Sequence, residues 1–386
     1  MTYAEVYLKN LHHNLKEIKK NIRPDVKMCV AVKADGYGHG AVRSAFAAVE
    51  EGAGYLAVAA VQESIELREA GIKVPLLMLS MCSPSEFEDL FRHSIIPFVG
   101  DSEYIRLLDQ AASDYCTLTG TKDVRFPVHL AVDSGMGRVG CHKEDAAALA
   151  RLIVSSEHLA LGGMCTHFAA ADSISDGDRE YTAMQYRNFM EAVDSVRDAG
   201  IEPGICHCSS SAALLDHPEW QMDMVRPGII AYGYYPDEVD RNYLASKGIS
   251  LDLKPVMALV TGVSVIRHFQ KGMSVSYGHT WTCDSETDIC VLPAGYADGL
   301  LRRFAGLEVA INGKPYPVRG RICMDQCMVD IGNGNAGVKR WDKAVIFGPE
   351  ESGALQDAQV LADKAGTISY EVLTSITKRV RRVYIE

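Results

Sequence analysis

Cys29 to Gly40 reads CVAVKADGYGHG, and the way that stretch is parsed decides the fold. Apolar Met28, Val30 and Val32 alternate as in a buried strand, which stops at Lys33 because Gly36, Gly38 and Gly40 do not continue it. An ammonium at the lip of an apolar strand must be solvated, paired, or shifted toward its neutral amine. A neutral amine can form a Schiff base with a carbonyl compound. The glycines permit a tight turn with backbone close to a ligand, while Tyr37 and His39 offer polar tips. A strand, a glycine turn and a surface lysine account for the same residues, so the rest of the chain must decide.

Outward from that strand the chain alternates. Helical segments predicted from Ala41, Gln62, Ser83, Ser102, Lys143 and Asp178 separate strands at Tyr55–Ala60, Pro75–Ser80, Ile95–Val99, Phe126–Val132, Leu159–Thr166, Ile205–Cys208 and Met224–Ala231. Ser83, Pro84 and Glu86 carry a helix-start signature, and Gly52 and Gly71 close helices. Eight strands between Met28 and Ala231, mostly joined by helices, point to a closed (β/α)8 barrel of TIM type rather than an open doubly wound sheet. From about Leu251 the texture becomes β-rich, with Asn312-Gly313 placed as in a type I′ hairpin. We therefore divide the chain into a barrel over 8–240 and a mainly β domain over 241–386, with strand 1–7 able to pack with the latter. A helix is expected at Ala354–Lys364, and Tyr370 can be read as a core residue of a C-terminal strand.

The totals narrow the function. A length of 386 residues suits two domains, and 47% hydrophobic residues suffice for large cores. A formal charge of -11 argues against general affinity for nucleic acid or an anionic membrane. The N-terminal MTYAEVYLKNLHHNLKEIKK lacks a signal-type apolar core, and no later run approaches a membrane span, so a cytoplasmic protein is expected. The 11 scattered cysteines suit reduced thiols, and neither Cys206-His207-Cys208 nor Cys323 with Cys327 has the second pair a metal site needs.

In a barrel of this type reactive groups gather at the C-terminal strand ends. Lys33, Arg138, His167, His207 and Arg226 then converge on one rim. Each has an ordinary reading as a turn, core or strand-end residue. Together, a lysine, imidazole faces, an arginine and the serines Ser209 to Ser211 ahead of SAALLD supply what pyridoxal phosphate requires.

The ordered series VKADGYGHG, DSGMGRVG, THF, HCSSSAA, VRPGI, VSYG, LPAGYADG, GRICMDQCMVD and TISYEV resembles the bacterial alanine racemases over nearly the whole chain. The resemblance implies a pyridoxal 5'-phosphate barrel and β domain in a homodimer with shared active sites, interconverting L- and D-alanine and supplying D-alanine for peptidoglycan. It implies that Lys33 holds the cofactor and is one acid/base group, and that Tyr277 of the other subunit is the second. It places His207 near that tyrosine and Arg226 against both His207 and the ring nitrogen. Tyr37, Ser210, Ser211, Gly228, Ile229 and Tyr370 match phosphate-side positions, and His167 lies beside the ring. Arg138 and the Met324 N–H match groups for the substrate carboxylate, with Asp325 beside them, while Tyr296, Arg302 and Arg321 match an access corridor. Two positions depart from the pattern. Ala131 stands where related proteins often carry a carbamylated lysine that orients the arginine, and Ser210 stands where asparagine is common. Other readings are a racemase for serine or another small amino acid, a decarboxylase on the same barrel, and a non-catalytic carrier of the cofactor.

Overall fold

The computed structural model describes residues 1–334 and 337–386. Strand β1 (Tyr3–Tyr7) precedes the barrel strands β2 (Lys27–Ala31), β3 (Tyr55–Val58), β4 (Leu76–Met78), β5 (Ile95–Val99), β6 (Phe126–Ala131), β7 (Leu159–Cys165), β8 (Ile205–His207) and β9 (Met224–Val225). The last eight form one parallel sheet in the order β8-β7-β6-β5-β4-β3-β2-β9. Its two ends meet where Arg226 N donates to Ser209 O at 2.8 Å and Asp223 N to Cys206 O at 3.1 Å, which nearly closes the barrel. Leu76, Leu77 and Met78 are wholly buried, as strands covered on both faces must be. Each such side chain contributes about 1.5–3 kcal/mol.

Helices at Ala41–Glu50, Val61–Glu69, Phe87–Arg92, Ser102–Thr119, Ala146–Ser155 and Asp176–Asp198 pack outside the strands. The sequence signals act as expected. Ser83 and Glu86 form a capping box ahead of Phe87–Arg92, and Asp101 accepts from Tyr104 N at 2.8 Å to start Ser102–Thr119. The strand expected at Met224–Ala231 is shorter: after Val225 the chain reaches Pro227 and then a 3-10 turn at Ile229–Tyr232. Proline lacks the N–H a ladder needs, which accounts for the early end.

The β-rich region supplies β10 (Met257–Gly262), β11 (Val265–Phe269), β12 (Ser274–Val275), β13 (Trp281–Thr282), β14 (Thr287–Leu292), β15 (Glu308–Ile311), β16 (Lys314–Arg319), β17 (Cys327–Gly332), β18 (Lys343–Phe347) and β19 (Arg381–Ile385). Nine strands join as β11-β14-β17-β16-β15-β18-β10-β1-β19, while β12 and β13 form a separate ribbon. Asn312 and Gly313 turn β15 into β16 with φ of 52° and 73°, as a type I′ turn demands. The N-terminal strand β1 lies in this sheet, antiparallel to β10 and parallel to β19.

Tyr370 corrects the sequence reading, since it sits in a helix at Ser369–Thr374 and not in a strand. The buried positions Ser369, Val372, Leu373 and Ile376 follow a helical spacing that the β-branched composition masks. The preceding helix runs Ala358–Ala365, starting four residues later than expected because Asp357 caps it through Gln359 N and Val360 N.

The helix at Ser369–Thr374 presses on the turn after Lys33. A Cβ on Gly38 would drive into the Leu373 carbonyl, and Gly38 has φ of 83°. Gly38→Ala is therefore expected to lower the unfolding free energy by about 2–4 kcal/mol, read by urea denaturation. Stability within ~0.5 kcal/mol of the parent would contradict that packing.

Candidate active site

Lys33 follows β2 at the C-terminal mouth of the barrel, and the chain then makes an uncommon move. Ala34, Asp35, Gly36 and Tyr37 have φ of 52°, 54°, 61° and 52° in succession. Outer groups pin this left-handed turn: Glu63 accepts from Ala34 N at 2.6 Å, Asp35 Oδ1 from Ala41 N at 2.9 Å, and Gly38 O from Arg382 Nε at 2.9 Å. The reversal sends Lys33 toward the cavity and buries Tyr37 behind it, stacked on Tyr232 with ring centroids 4.9 Å apart.

Two adjoining cavities, about 230 and 400 Å3, share Lys33, Leu79, Met136, His167 and Arg226. The smaller reaches Ala131, Asp133 and Arg138, and the larger reaches Tyr37, Ser210, Ser211, Gly228, Ile229 and Tyr370. Lys33 and Arg226 line both cavities and Arg138 the smaller, against one acid in each, Asp133 in the smaller and Asp172 in the larger. The Oδ1 of Asp133 already accepts from Gly135 N and Gly137 N, both at 3.0 Å. Burial lowers the Lys33 pKa, with Arg138 and Arg226 pushing the same way against Glu63. Among the described residues the Lys33 amine has no ion pair, so only the more distant Glu63 charge favours its proton.

Arg226 is buried and held by three groups of the barrel. Its Nη1 meets His207 Nδ1 at 2.5 Å, and its Nη2 donates to Thr166 O at 2.8 Å and Cys208 O at 3.0 Å. Because guanidinium only donates, His207 accepts at Nδ1 and carries its proton on Nε2, which lies 2.8 Å from His129 Nδ1. Both ring nitrogens of His207 are thereby occupied. This corrects the expectation that His207 bonds near Tyr277. His167, half-buried in the wall of both cavities with Nδ1 3.5 Å from Arg226 Nη2, is the imidazole the open space reaches.

One wall of the larger cavity suits a phosphate. Ser211 Oγ accepts from Gly228 N at 2.9 Å, leaving its hydroxyl proton free to donate. A Cβ at position 228 would lie 2.7 Å from Tyr37 Oη, so only glycine keeps that wall open. A lysine amine of lowered pKa, a serine- and glycine-lined wall and surrounding cations fit pyridoxal phosphate. Ser210 lines the same wall without a side-chain partner among the described residues.

The remaining expected residues lie on the β domain. Tyr277 follows β12 and is 69% exposed, and Met324 is 52% exposed. Ser276, with φ of 68°, turns the chain at Tyr277, and its Oγ donates to Arg321 O at 2.5 Å. Arg321 lies against Gly278, Tyr296 and Arg302 are exposed nearby in sequence order, and Asp325 pairs with Arg379 at 2.9 Å. The cavities that hold Lys33 contain neither Tyr277 nor Met324. Sequence reasoning missed His129 and Glu63. A histidine inside an apolar strand was the available signal for the first; Glu63 looked like any helix-start acid.

A (β/α)8 barrel with a lysine of lowered pKa at the end of its first barrel strand, joined to a β domain, defines the class of fold and site. Comparison with known sequences narrows it: the alanine racemase N-terminal domain matches residues 6–236, and the alanine racemase C-terminal domain residues 256–384. The chain belongs to the alanine racemase family. It is 46% identical to the alanine racemase of Treponema denticola, covering 100% of this chain and 98% of that one. It is 44% identical to that of Treponema pallidum, covering 99% and 98%. Among solved structures, alanine racemase of Clostridium difficile 630 superposes with a TM-score of 0.91 at 38% identity, covering 100% and 96%. That of Bacillus anthracis with bound L-Ala-P gives 0.90 at 32%, covering 100% and 95%.

Burial holds His129 and His167 at about 3 and His39 at about 4, below the usual 6.5. The folded state keeps these rings neutral while the unfolded chain protonates them near 6.5, so their stabilisation is complete above about pH 6.5 and fades as pH falls toward 3. His129→Gln should reduce the slope of unfolding free energy between pH 6 and 4 by about 1.4 kcal/mol per pH unit. Urea titrations at both pH values would read it; an unchanged slope would place the proton uptake elsewhere.

Proposed function

We propose that the chain is an alanine racemase that binds pyridoxal 5'-phosphate on Lys33, acts as a homodimer in the cytoplasm, and supplies D-alanine for peptidoglycan. The carrying observation is the arginine-lined cavity around a lysine of lowered pKa, facing a serine- and glycine-lined wall. We place the domain division at 240/241, with residues 1–7 joined to the β domain.

Bound pyridoxal phosphate supplies a conjugated ring that delocalises the electron pair left when an amino acid loses its α-proton. Tyr37, Ser210, Ser211, Gly228, Ile229 and Tyr370 would hold its phosphate side, and His167 would lie beside its ring. Arg226 would face the ring nitrogen; its fixed charge disfavours a second positive charge there. That limits side reactions which need a long-lived carbanion.

Racemisation moves a proton off one face of the α-carbon and returns one to the other, so it needs two groups on opposite faces. Lys33 Nζ serves one face, and its lowered pKa keeps the amine competent nearer neutral pH than an ordinary lysine. The partner subunit's Tyr277 serves the other. An exposed tyrosine outside the lysine cavity of its own chain supports a site completed between subunits, lined outward by Tyr296, Arg302 and Arg321. Arg138 and the N–H of the partner subunit's Met324 take the substrate carboxylate. Arg138 has no ion pair among the described residues, Ala131 beside it carries no charge, and Asp133, the acid lining the same cavity, turns its Oδ1 to the Gly135 and Gly137 N–H groups. Its charge is thus left for the substrate. Tyr370, partly buried at the cavity wall, leaves room for a methyl side chain more readily than for a longer one.

Incubating the protein with pyridoxal phosphate and L-alanine in D2O should give D-alanine carrying α-deuterium, detected by NMR and chiral chromatography. No exchange and no D-alanine with cofactor bound would overturn the reading in favour of another substrate or a carrier. Lys33→Ala and Tyr277→Phe should each lose at least about a hundredfold in kcat, and mixed dimers of the two should recover activity. Absence of recovery in verified mixed dimers would reject the shared site.

A further inference from the structure

Arg379 follows the last helix and reaches two carboxylates at once. Nε and Nη2 fork onto Asp298 Oδ1 and Oδ2 at 2.6 and 3.0 Å, and Nη1 donates to Asp325 Oδ1 at 2.9 Å. Asp298 is nearly buried, and its Oδ2 also accepts from Gly295 N at 2.9 Å. Such a planar fork fixes direction as well as distance.

The loop that Asp298 anchors is laced to the loop that carries Met324. Tyr296 N donates to Cys323 O at 3.0 Å and Ala297 N to Met324 O at 2.9 Å. The approach is so close that a Cβ on Gly295 would collide with the Cys323 and Met324 carbonyl oxygens. From the other side Thr377 Oγ1 donates to Ala297 O at 2.8 Å and Ser375 Oγ to Gly299 O at 3.0 Å. Among the described residues the Met324 N–H itself donates to nothing. A free, outward N–H is thus held on one side by the Tyr296–Ala297 backbone and on the other by Asp325, and Arg379 ties both sides together.

We infer that Arg379 is a positioning residue: through Asp298 and Asp325 it sets the direction of the Met324 N–H that receives the substrate carboxylate. This rests on the function proposed above. Arg379 also neutralises Asp325, whose negative charge adjoins the donor and would otherwise oppose an incoming carboxylate. The residue acts on binding of the carboxylate and leaves the proton-transfer groups Lys33 and Tyr277 untouched.

In the holoenzyme, Arg379→Met should raise KM for L-alanine by about tenfold and weaken inhibition by propionate similarly, with kcat within about threefold of the parent and its pH profile unmoved. Propionate carries a carboxylate and no amine, so it reads the donor alone. Arg379→Lys keeps the charge and loses the fork, and should show the same pattern at a smaller factor; it also serves if the methionine variant fails to fold. A folded variant whose KM and propionate inhibition match the parent overturns the proposal, as does a loss confined to kcat. A parent enzyme that forms no D-alanine instead rejects the function, and direct titration of propionate into the holoenzyme still tests Arg379 in that case.

Discussion

Five successive left-handed backbone positions after Lys33, Ala34 to Gly38, are the constraint on which the site depends. L-residues in that region cost roughly 1–2 kcal/mol each, and only two of the five are glycine. The neighbouring structure holds the turn from outside the cavity. Glu63 belongs to the helix after β3, Asp35 closes onto Ala41, and Arg382 arrives from β19 in the other domain. The strain is useful because a right-handed continuation would carry the chain out along an ordinary helix. The reversal leaves the lysine at the strand end and folds Tyr37 back toward Gly228.

A second buried chain of groups sets the chemistry of the opposite wall. Arg226, His207 and His129 form one hydrogen-bonded line through the barrel interior, ending where Gly163 leaves room for the His129 ring. The arginine dictates the protonation of both histidines, since it can only give protons away. A positive charge is thereby presented to the cavity by a side chain with almost no freedom to turn. Burial first and Arg138 next lower the pKa of Lys33, and the Arg226 charge adds to them across the space. The Lys33 and Arg226 side chains are electrically coupled although, among the described residues, no hydrogen bond joins Lys33 Nζ to Arg226.

Much of this was legible in the chain. Strand alternation broken by glycine located Lys33 at a strand end, and the rule that strand C-terminal ends gather side chains at one rim brought together Arg138, His167 and Arg226, which line one cavity with it. The positive φ of Ala34, Asp35 and Tyr37 was not legible, because none of these residue types demands it; tertiary contacts impose it. The role of His207 was misplaced because sequence order says nothing about which ring nitrogen is already taken. Ser369–Thr374 escaped notice since its buried spacing was hidden among β-branched residues. Tyr277 and Met324 are legible as motifs, yet the geometry of one chain does not bring them to the lysine.

Strand β1 lies between β10 and β19, strands far from it in sequence. During synthesis the first strand emerges some 250 residues before β10 and more than 370 before β19, by the positions of their first residues. Until then it is an unpaired edge on a nascent chain, available to other exposed strands. The barrel helices and strands can assemble in that interval, but Arg382 cannot yet reach the Gly38 carbonyl. The lysine turn therefore gains this support only once β19 has been made, and a chain that stops short of β19 carries a barrel whose lysine turn is not yet fully set.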